Sequence, residues 1–343
     1  MIMKNMAALR SIIDKLSSEP GFSGDIRFDE PMSLHTTFKV GGLADVWVRP
    51  DSACFPEYAA MLLRAARSAG VPVFVLGGGA NLVVADRGIR GIVLDTGGWT
   101  GWDFAAGDVP NGNTAENGAR HLFTVAVRSG TAVDTLVDAA AECSRGGLEF
   151  LAGMPGTVGG AVWMNARCME KSVSDVLGEV EILDEDFNRM IVPYNPADFA
   201  YKKSPFQGRD VLILSARFRI SKRAGEESRR EADTLRRDRE AKGHFRAPSA
   251  GSAFKNNRAF GKPTGKIIDD LRLRGFSVGG AAVAPWHGNF IINTGNARAA
   301  DIRALADTVT CQVREKVGVT LEPEILFVGD WDTPVKPRNA ANT

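Results

Sequence analysis

Short apolar runs alternate with turn residues between positions 36 and 96 of the chain. Residues 44–48, four of which are apolar, predict a strand, while residues 55–69 have helical spacing and end at Gly70. Two further strands are predicted at residues 71–76 and 92–94. A strand, a helix and a strand of these lengths indicate a βαβ-like unit.

The pattern changes after residue 96. Residues 97–120 are polar, rich in glycine and without a period, which predicts a long surface loop. The remaining elements predicted before residue 221 are strands at 122–127, 180–183 and 211–220, a helix at 132–143, and a glycine-dense apolar stretch at 146–166.

A mixed-charge segment at residues 222–246 divides the chain. Its opposite charges recur at helical spacings of three and four residues, so we interpret it as a solvated helix that joins two domains. Acidic residues interrupt the basic ones and aromatic residues are almost absent, which argues against nucleic-acid binding. The elements predicted after it are a helix at 266–272, a strand at 290–293, a helix at 299–317 and a last strand near 325–328.

Composition limits the class of protein. The 343 residues include 42 Lys+Arg and 41 Asp+Glu, so the net charge of +1 provides no overall field for nucleic acid or an anionic membrane. The N-terminal segment places Leu9, Ile13 and Leu16 on one helical face and does not resemble a signal peptide, and no apolar run reaches the ~18 residues of a membrane span. The 4 cysteines and 4 histidines are scattered, so we expect a cytoplasmic protein without a metal.

A glycine-rich segment directly follows one of the predicted strands. It reads Leu76-Gly77-Gly78-Gly79-Ala80-Asn81-Leu82, and its consecutive backbone N–H groups can face an anion. It is not the phosphate loop of a Rossmann domain, because Leu82 stands where the third glycine belongs and no helical pattern follows. These two differences argue against a plain NAD dehydrogenase.

A second glycine-rich segment lies in the apolar stretch. It reads Leu151-Ala152-Gly153-Met154-Pro155-Gly156-Thr157-Val158-Gly159-Gly160-Ala161. Apolar residues, glycines and one hydroxyl form a dry surface of backbone that suits a flat ring system. A buried turn with closely packed backbone is the alternative, and both interpretations stay open at this point.

Three further segments carry polar side chains suited to chemistry. Lys202 and Lys203 lie between aromatic residues, where they could hold a carboxylate or form an ordinary strand edge. Small residues around Ser252 leave its hydroxyl accessible, but nothing nearby marks it as a hydrolase nucleophile. On a strand, Glu322 and Glu324 would share one face, and exposure to solvent is the default for such acids.

Taken in order, these motifs resemble those of the UDP-N-acetylenolpyruvoylglucosamine reductase family. The resemblance covers roughly residues 33–328. The matching segments are residues 35–45, 76–82, 152–161 with Asn165 following, 251–256, 287–293 and 321–325.

The resemblance implies an α+β fold. It consists of an FAD-binding module of the vanillyl-alcohol-oxidase (PCMH) type in two subdomains, and a C-terminal α+β substrate domain. The domain ranges predicted from it are a lead-in at 1–33, the FAD-binding domain at 34–221 (subdomains 34–96 and 97–221), the linker helix at 222–246, the substrate domain at 247–330 and a tail at 331–343. The residues that the resemblance assigns to FAD are Val40, Gly41, Leu76, Gly77, Gly78, Gly79, Ala80, Asn81, Leu82, Gly153, Pro155, Gly156, Thr157, Gly159, Gly160 and Ala161.

The activity implied by the resemblance is reduction of UDP-N-acetylglucosamine enolpyruvate by NADPH through FAD, in peptidoglycan precursor synthesis. By resemblance Ser252 is the proton donor and Glu324 helps to stabilise the enol intermediate, with Glu322 as second choice. Lys202 is assigned as the catalytic cation that stabilises the enolate intermediate. The residues assigned to substrate binding are Tyr201, Lys255, Asn256, His287 and Asn289. No tyrosine follows Tyr201, so the chain resembles the subtype that lacks an extra tyrosine-bearing loop, and we expect a monomer.

The chain departs from the family pattern at two positions. Lys202 stands where the family usually has arginine, so a compact charge replaces a planar fork that binds a carboxylate with two hydrogen bonds. Residues 166–170 replace a stretch of small residues and tyrosine. We hypothesise that Arg167 or Lys203 assists Lys202, and unchanged turnover in Arg167→Ala and Lys203→Ala would dismiss this.

Two other functions compete with the reductase. The first is a related FAD oxidoreductase that acts on another small substrate, with Lys202 as the sign of divergence. Against it, Ser252 and Glu324 have no obvious use in an alcohol oxidase. The second is a protein that binds flavin or a nucleotide sugar without turnover, whose flavin NADPH would not reduce.

Overall fold

The computed structural model describes residues 2–106 and 123–332. In these ranges the helices are α1 (Ile2–Ser18), α2 (Phe55–Ala69), α3 (Val133–Glu142), α4 (Val158–Trp163), α5 (Gly225–Ala241), α6 (Thr264–Asp270) and α7 (Ala299–Val317). The strands are β1 (Gly24–Pro31), β2 (Leu43–Pro50), β3 (Val73–Leu76), β4 (Leu82–Val84), β5 (Ile89–Asp95), β6 (Trp102–Ala106), β7 (Phe123–Arg128), β8 (Arg145–Gly146), β9 (Arg167–Cys168), β10 (Lys171–Ser172), β11 (Leu177–Leu183), β12 (Arg189–Pro193), β13 (Leu212–Lys222), β14 (Ser249–Ser252), β15 (Ser277–Val278), β16 (Ala281–Val283), β17 (Phe290–Asn293) and β18 (Leu326–Val328). None of the helices in this part of the chain is long and apolar enough to cross a membrane.

The two helices with the clearest apolar period form where the sequence predicts them. Helix α2 buries Leu62, Leu63 and Ala66 and ends at Gly70, whose left-handed backbone lets its N–H bond the carbonyls of Ala66 and Arg67. Helix α7 also ends at a left-handed glycine, at position 318. Its first N–H groups, from Ala299 and Ala300, donate to the carboxylate of Asp86 at 2.8 and 3.0 Å. A distant acid therefore satisfies donors that a helix leaves unpaired.

The chain forms two compact units. Unit 1 comprises Met1–Arg27, Trp47–Gly78 and Val93–Asp238, and unit 2 comprises Phe28–Val46, Gly79–Ile92 and Arg239–Thr343, each as far as the described ranges reach. A four-stranded sheet has the order β1-β2-β5-β3. The domain ranges predicted from the sequence are a different division, and they stay a prediction.

Unit 1 contains a sheet with strand order β12-β11-β13-β7-β6, and β8 pairs with β13 at its side. Alternate residues of these strands, such as Val180 and Phe218, pack with Leu136 of α3 and Val162 of α4 in one apolar core. A second cluster joins Phe55 of α2 to apolar residues of β11 and β13. The core therefore holds the glycine-rich residues 153–161 against a sheet.

Unit 2 contains an antiparallel sheet with the order β14-β17-β16-β15 and a parallel pair of β18 with β4. The core of this unit combines Ile302, Leu305 and Val309 of α7 with Ile291 of β17 and Phe254. The first residues after the glycine triplet are thus anchored, through β4 and β18, to the C-terminal part of the chain.

The predicted long loop at residues 97–120 is wrong for its first part. Residues 102–106 form β6, which pairs antiparallel with β7 from Trp102↔Val127 to Ala106↔Phe123. Four of the five residues of β6 are apolar, and pairing with β7 makes this segment a strand. Residues 107–120 of the predicted loop, and residue 122 of the predicted strand, lie outside the described residues.

The charged segment forms a helix, as its pattern of opposite charges predicts. Helix α5 begins at Gly225 rather than 222, because β13 continues through Lys222. Ser228 and Ala232 are its buried residues. Arg223 anchors its start by bonding Glu149, which is 5% exposed, as well as Glu227 and Glu231.

Candidate active site

The predicted site residues fall in both units. Unit 1 holds Leu76, Gly77, Gly78, Gly153, Pro155, Gly156, Thr157, Gly159, Gly160, Ala161, Tyr201 and Lys202. Unit 2 holds Val40, Gly41, Gly79, Ala80, Asn81, Leu82, Ser252, Lys255, Asn256, His287, Asn289 and Glu324. Each group is described below within its own unit.

In unit 1 the two glycine-rich segments touch through their backbones. A Cβ on Gly78 would stand 2.6 Å from the Cα of Gly156, and one on Gly77 would stand 2.6 Å from the Thr157 Oγ1. Real side chains do not approach so closely, so neither position has room for one. The spacing favours the interpretation of these segments as one shared surface of backbone.

This surface carries donors without partners. Among the described residues, no hydrogen bond is made by the N–H groups of Gly78, Gly156 and Thr157. The Ser129 Oγ is buried and also lacks a partner there, and Gly159 lies against Ser129 through a 2.8 Å bond from its N–H to the Ser129 carbonyl. Thr157 and Ser129 are buried, whereas Gly78 is exposed. Buried donors are normally paired, so the buried part of this set suits a ligand that brings acceptors.

The turn that bears Tyr201 and Lys202 is attached to the end of α4. The Asn165 side chain donates to the Ala200 carbonyl at 2.9 Å and accepts the Ser174 N–H at 3.0 Å. Lys202 itself has a left-handed backbone, φ 58°, at the tip of the turn. The guanidinium of Arg167 lies 5.9 Å from the centre of the Tyr201 ring. Unit 1 therefore brings both predicted substrate residues to the C-terminal end of the glycine-rich segment.

In unit 2 three predicted site residues lie on adjoining backbone segments. The Asn81 side chain donates to the Glu324 carbonyl at 3.1 Å, and the Leu326 N–H donates to the Asn81 carbonyl at 2.9 Å. On the other side, the Glu324 N–H donates to the Ala253 carbonyl at 2.8 Å, next to Ser252. The segment that bears Asn81 therefore lies next to the backbone of Glu324, and Glu324 lies next to the segment that bears Ser252.

Irregular backbone precedes Ser252. The pairing of β14 with β17 shifts register between Ser249 and Ser252, and Gly251 within this bulge has φ 71°. A bulge re-aims the side chains that follow it. Among the described residues none hydrogen-bonds the Ser252 hydroxyl.

Asn289 fixes the segment that follows Ser252. Its side-chain oxygen accepts the Phe254 N–H at 3.0 Å and its amide group donates to the Phe254 carbonyl at 2.8 Å. Its own carbonyl accepts the Ala253 N–H at 2.7 Å. The amide is 2% exposed, so its observed role is to hold backbone.

The prediction that Glu322 and Glu324 share a solvent-exposed strand face is wrong. Residues 319–325 form no strand beyond a single bridge between Phe254 and Pro323, so a period of two does not apply. Glu324 is 9% exposed, while Glu322 is exposed and pairs with the ammonium of Lys255. The two glutamates are therefore not equivalent, and Glu324 is the one enclosed by protein.

Two other predicted substrate residues have partners within unit 2. The Asn256 side chain accepts the Thr264 N–H at 2.9 Å. His287 stacks on Phe290 with the ring centroids 4.0 Å apart, and its Nδ1 accepts the Asn289 N–H at 3.1 Å. Burial lowers the pKa of His287 below its ordinary value, although Asp269 acts in the opposite direction.

The first family-like motif supports the end of the glycine triplet in unit 2. Gly79 has φ 60°, and a side chain there would overlap the His35 carbonyl. The Thr37 N–H donates to the Gly79 carbonyl at 3.2 Å, and Thr36 Oγ1 donates to the Val40 carbonyl at 2.9 Å. The Val40 side chain lies in the apolar core of the unit, so only its backbone can serve a ligand.

Sequence reasoning missed Ser129. No local pattern marks this residue, and its relevance follows only from the fold, which brings it against Gly159. In the described residues no group of three His, Cys, Asp or Glu side chains converges as a metal site requires.

Comparisons with known proteins show which family this chain resembles. The family model for the UDP-N-acetylenolpyruvoylglucosamine reductase C-terminal domain matches residues 243–328, and that for an FAD binding domain matches residues 50–186. The UDP-N-acetylenolpyruvoylglucosamine reductase of Treponema denticola is 39% identical over 338 residues, covering 94% of this chain and 100% of that protein. That of Treponema pallidum is 36% identical over 348 residues, covering 89% and 94%.

A solved structure is similar throughout. The crystal structure of UDP-N-acetylenolpyruvylglucosamine reductase (MurB) from Thermus caldophilus matches with a TM-score of 0.67 at 29% identity. The match covers 90% of this chain and 100% of that one. The expected fold class is confirmed.

The contact between Gly78 and Gly156 predicts an intolerance of side chains. Gly78→Ala should lower the free energy of unfolding by about 1–3 kcal/mol, because the new methyl meets backbone that cannot rotate away. Gly160→Ala is the control, since its Cβ would meet the Thr157 Oγ1 at an ordinary 3.6 Å within a helix. Urea unfolding of the flavin-free proteins measures both. Equal stability of Gly78→Ala and the parent chain would contradict the packing described.

Burial of His287 predicts a pH-dependent stability. Because its pKa is lowered from 6.5 in the folded state, the unfolded chain binds a proton more readily. The associated stability is complete above pH 6.5 and is lost as the pH falls through the folded pKa. We expect His287→Gln to flatten the decline of the unfolding free energy between about pH 7 and pH 5. Identical pH slopes in urea unfolding of the two proteins would refute this.

Proposed function

The chain belongs to the UDP-N-acetylenolpyruvoylglucosamine reductase family, and from that membership we propose that it reduces UDP-N-acetylglucosamine enolpyruvate to UDP-N-acetylmuramate with NADPH as electron donor. Members of this family are FAD-dependent oxidoreductases, and this chain is one of them. The product named in the proposal serves peptidoglycan precursor synthesis.

The observation that carries the proposal is the convergence in unit 2. Asn81 from the glycine-rich loop, the enclosed Glu324 and the accessible Ser252 come together through the bonds to the Glu324 carbonyl and the Ala253 carbonyl. A flavin segment, an enclosed acid and a hydroxyl are the groups that this reduction needs side by side. An alcohol oxidase has no use for the last two.

The residues present fit a flavin. A side chain at Gly77 or Gly78 would collide with Thr157 or Gly156, so the two segments remain a surface of backbone, and the N–H groups of Gly78, Gly156 and Thr157 have no acceptor among the described residues. The buried Ser129 Oγ adds a further donor without a partner among the described residues. These residues would hold FAD, and the chemistry that bound FAD supplies is the carriage of two electrons from NADPH to the enolpyruvyl group.

The side chains of this protein would handle the charge that the reduction creates. Hydride addition to the methylene carbon leaves negative charge on the neighbouring carbon, which spreads into the carboxylate. Ser252 would donate a proton to that carbon, and Glu324 would help to stabilise the enol form. Lys202 would face the carboxylate as the fixed cation.

The cationic turn supports this assignment of charge. Lys202 and Lys203 lie on one turn, and Arg167 lies beside Tyr201 on the neighbouring hairpin. Arg167 Nη2 also bonds Glu170 at 2.8 Å, and its Nε donates to the Met169 carbonyl at 3.0 Å. Arg167 is thus held beside Tyr201, where its guanidinium can supplement the single ammonium of Lys202.

The proposed reaction has a direct spectroscopic test. The purified protein should show flavin absorption bands that bleach with NADPH under anaerobic conditions and return when UDP-N-acetylglucosamine enolpyruvate is added. Bleaching without return would rule out the named substrate and leave a flavoenzyme. A colourless protein that takes up no added FAD would overturn the proposal as a whole.

The proposed role of Ser252 predicts that its loss slows the reoxidation of the flavin by substrate and leaves the reduction of the flavin by NADPH unchanged. Ser252→Ala should leave bleaching by NADPH unchanged and slow the return of the bands by about 10²–10⁴-fold, since the proton donor is lost. Ser249→Ala, at the other end of β14, is the matched control and should reoxidise like the parent enzyme. Stopped-flow absorbance measures both steps. Reoxidation of Ser252→Ala within about tenfold of the parent rate would exclude it as proton donor.

A further inference from the structure

The first turn of α3 forms hydrogen bonds with both ends of the turn formed by Gly153–Gly156. The carboxylate of Asp134 accepts the Gly153 N–H on Oδ1 at 2.7 Å. The neighbouring Val133 N–H donates to the Gly156 carbonyl at 3.1 Å. Gly153 has φ 67° and Gly156 has φ 110°, so this turn has backbone angles that few residues adopt. Its shape is therefore set from α3.

The charged helix α5 reaches the same carboxylate. Arg236 donates to Asp134 Oδ1 from Nε at 3.0 Å and from Nη2 at 2.8 Å. One oxygen thus accepts the Gly153 N–H and both guanidinium donors. Arg236 Nε also lies 3.3 Å from Asp134 Oδ2, so the guanidinium contacts both oxygens and restricts rotation of that carboxylate.

The ordinary explanation is that these charges only attach α5 to α3. Arg236 also bonds Asp138 at 2.6 Å and Asp233 at 3.2 Å, and neither of these acids contacts the glycine turn. Arg223 attaches the other end of α5 through Glu149. Attachment therefore does not need Asp134, and the bond to the Gly153 N–H has a separate effect.

We propose that Asp134 is a positioning residue for the flavin-facing turn, and that Arg236 acts through it, so that helix α5 tunes the affinity for FAD. The inference rests on the proposed function, because it takes FAD as the ligand of residues 153–161. Loss of the Gly153 bond lets the turn relax away from Gly78, and the N–H groups of Gly156 and Thr157 then no longer point at a fixed position.

The test measures FAD binding directly rather than turnover. The dissociation constant and release rate of FAD are followed by flavin fluorescence on the full-length apoprotein, with the visible spectrum of the bound flavin as a second readout. Asp134→Ala should raise the dissociation constant about tenfold and shift the visible bands. Asp134→Asn keeps an acceptor and should recover most of the affinity.

Arg236→Gln should weaken FAD binding about threefold, and the pair Asp134→Ala/Arg236→Gln should bind no more weakly than Asp134→Ala alone. Asp138→Ala is the matched control, because it removes a partner of Arg236 that does not touch the turn. It should bind FAD within twofold of the parent protein.

Three results would overturn the inference. These are unchanged FAD affinity in Asp134→Ala, additive losses in the double variant, and binding of FAD by Asp138→Ala as weak as that by Arg236→Gln. If Asp134→Ala does not fold, Asp134→Asn and Arg236→Gln decide by the same comparison. A parent protein that binds no FAD would instead contradict the proposed function.

Discussion

Direct contact of backbone with backbone at Gly78 and Gly156 determines the layout of the candidate site. A Cβ at Gly78 would lie 2.6 Å from the Cα of Gly156, so two separate segments act as one surface without side chains. A Rossmann loop turns its glycines toward a helix that follows it. Here β4 follows instead and pairs with β18, which carries the triplet toward Glu324. The glycine triplet therefore belongs to a fold other than a Rossmann domain.

The residues proposed to take part in the chemistry lie on irregular backbone that neighbouring amides stabilise. Ser252 follows a bulge, and Lys202 and Asn165 both have positive φ. Such angles cost of order 1 kcal/mol each unless the surroundings impose them. Asn165 uses both ends of its amide to join two turns, and Asn289 does the same for Phe254. These two asparagines hold the reactive segments in position, and each is almost fully buried.

The spacing of apolar residues predicts helices and strands that bury one face. It fails for a strand whose formation depends on pairing with a distant segment of the chain. Helix α7 and strand β17 form at the predicted positions because their apolar spacing is complete within the segment. Strand β6 was missed, since its partner β7 lies beyond a further stretch of chain. The wrong placement of Glu322 and Glu324 has the same origin, because a period of two has meaning only on a strand. Among site residues, the glycine segments could be predicted from composition, whereas Ser129 and Asp134 acquire their neighbours only in the fold.

Local charge matters more than total charge in this protein. The net charge of +1 is almost neutral, yet acidic and basic residues are unevenly distributed over the protein. Around α5 the acids Glu149, Asp134 and Asp138 neutralise Arg223 and Arg236, so that region has little field left. The Tyr201 turn differs, because Lys202, Lys203 and Arg167 there stand beside two acids, Asp198 and Glu170, which leaves an excess of one positive charge. A cluster of this kind attracts an anionic substrate without giving the whole surface an affinity for nucleic acid. Lysine at position 202 keeps a positive charge there and lacks the directional fork of an arginine.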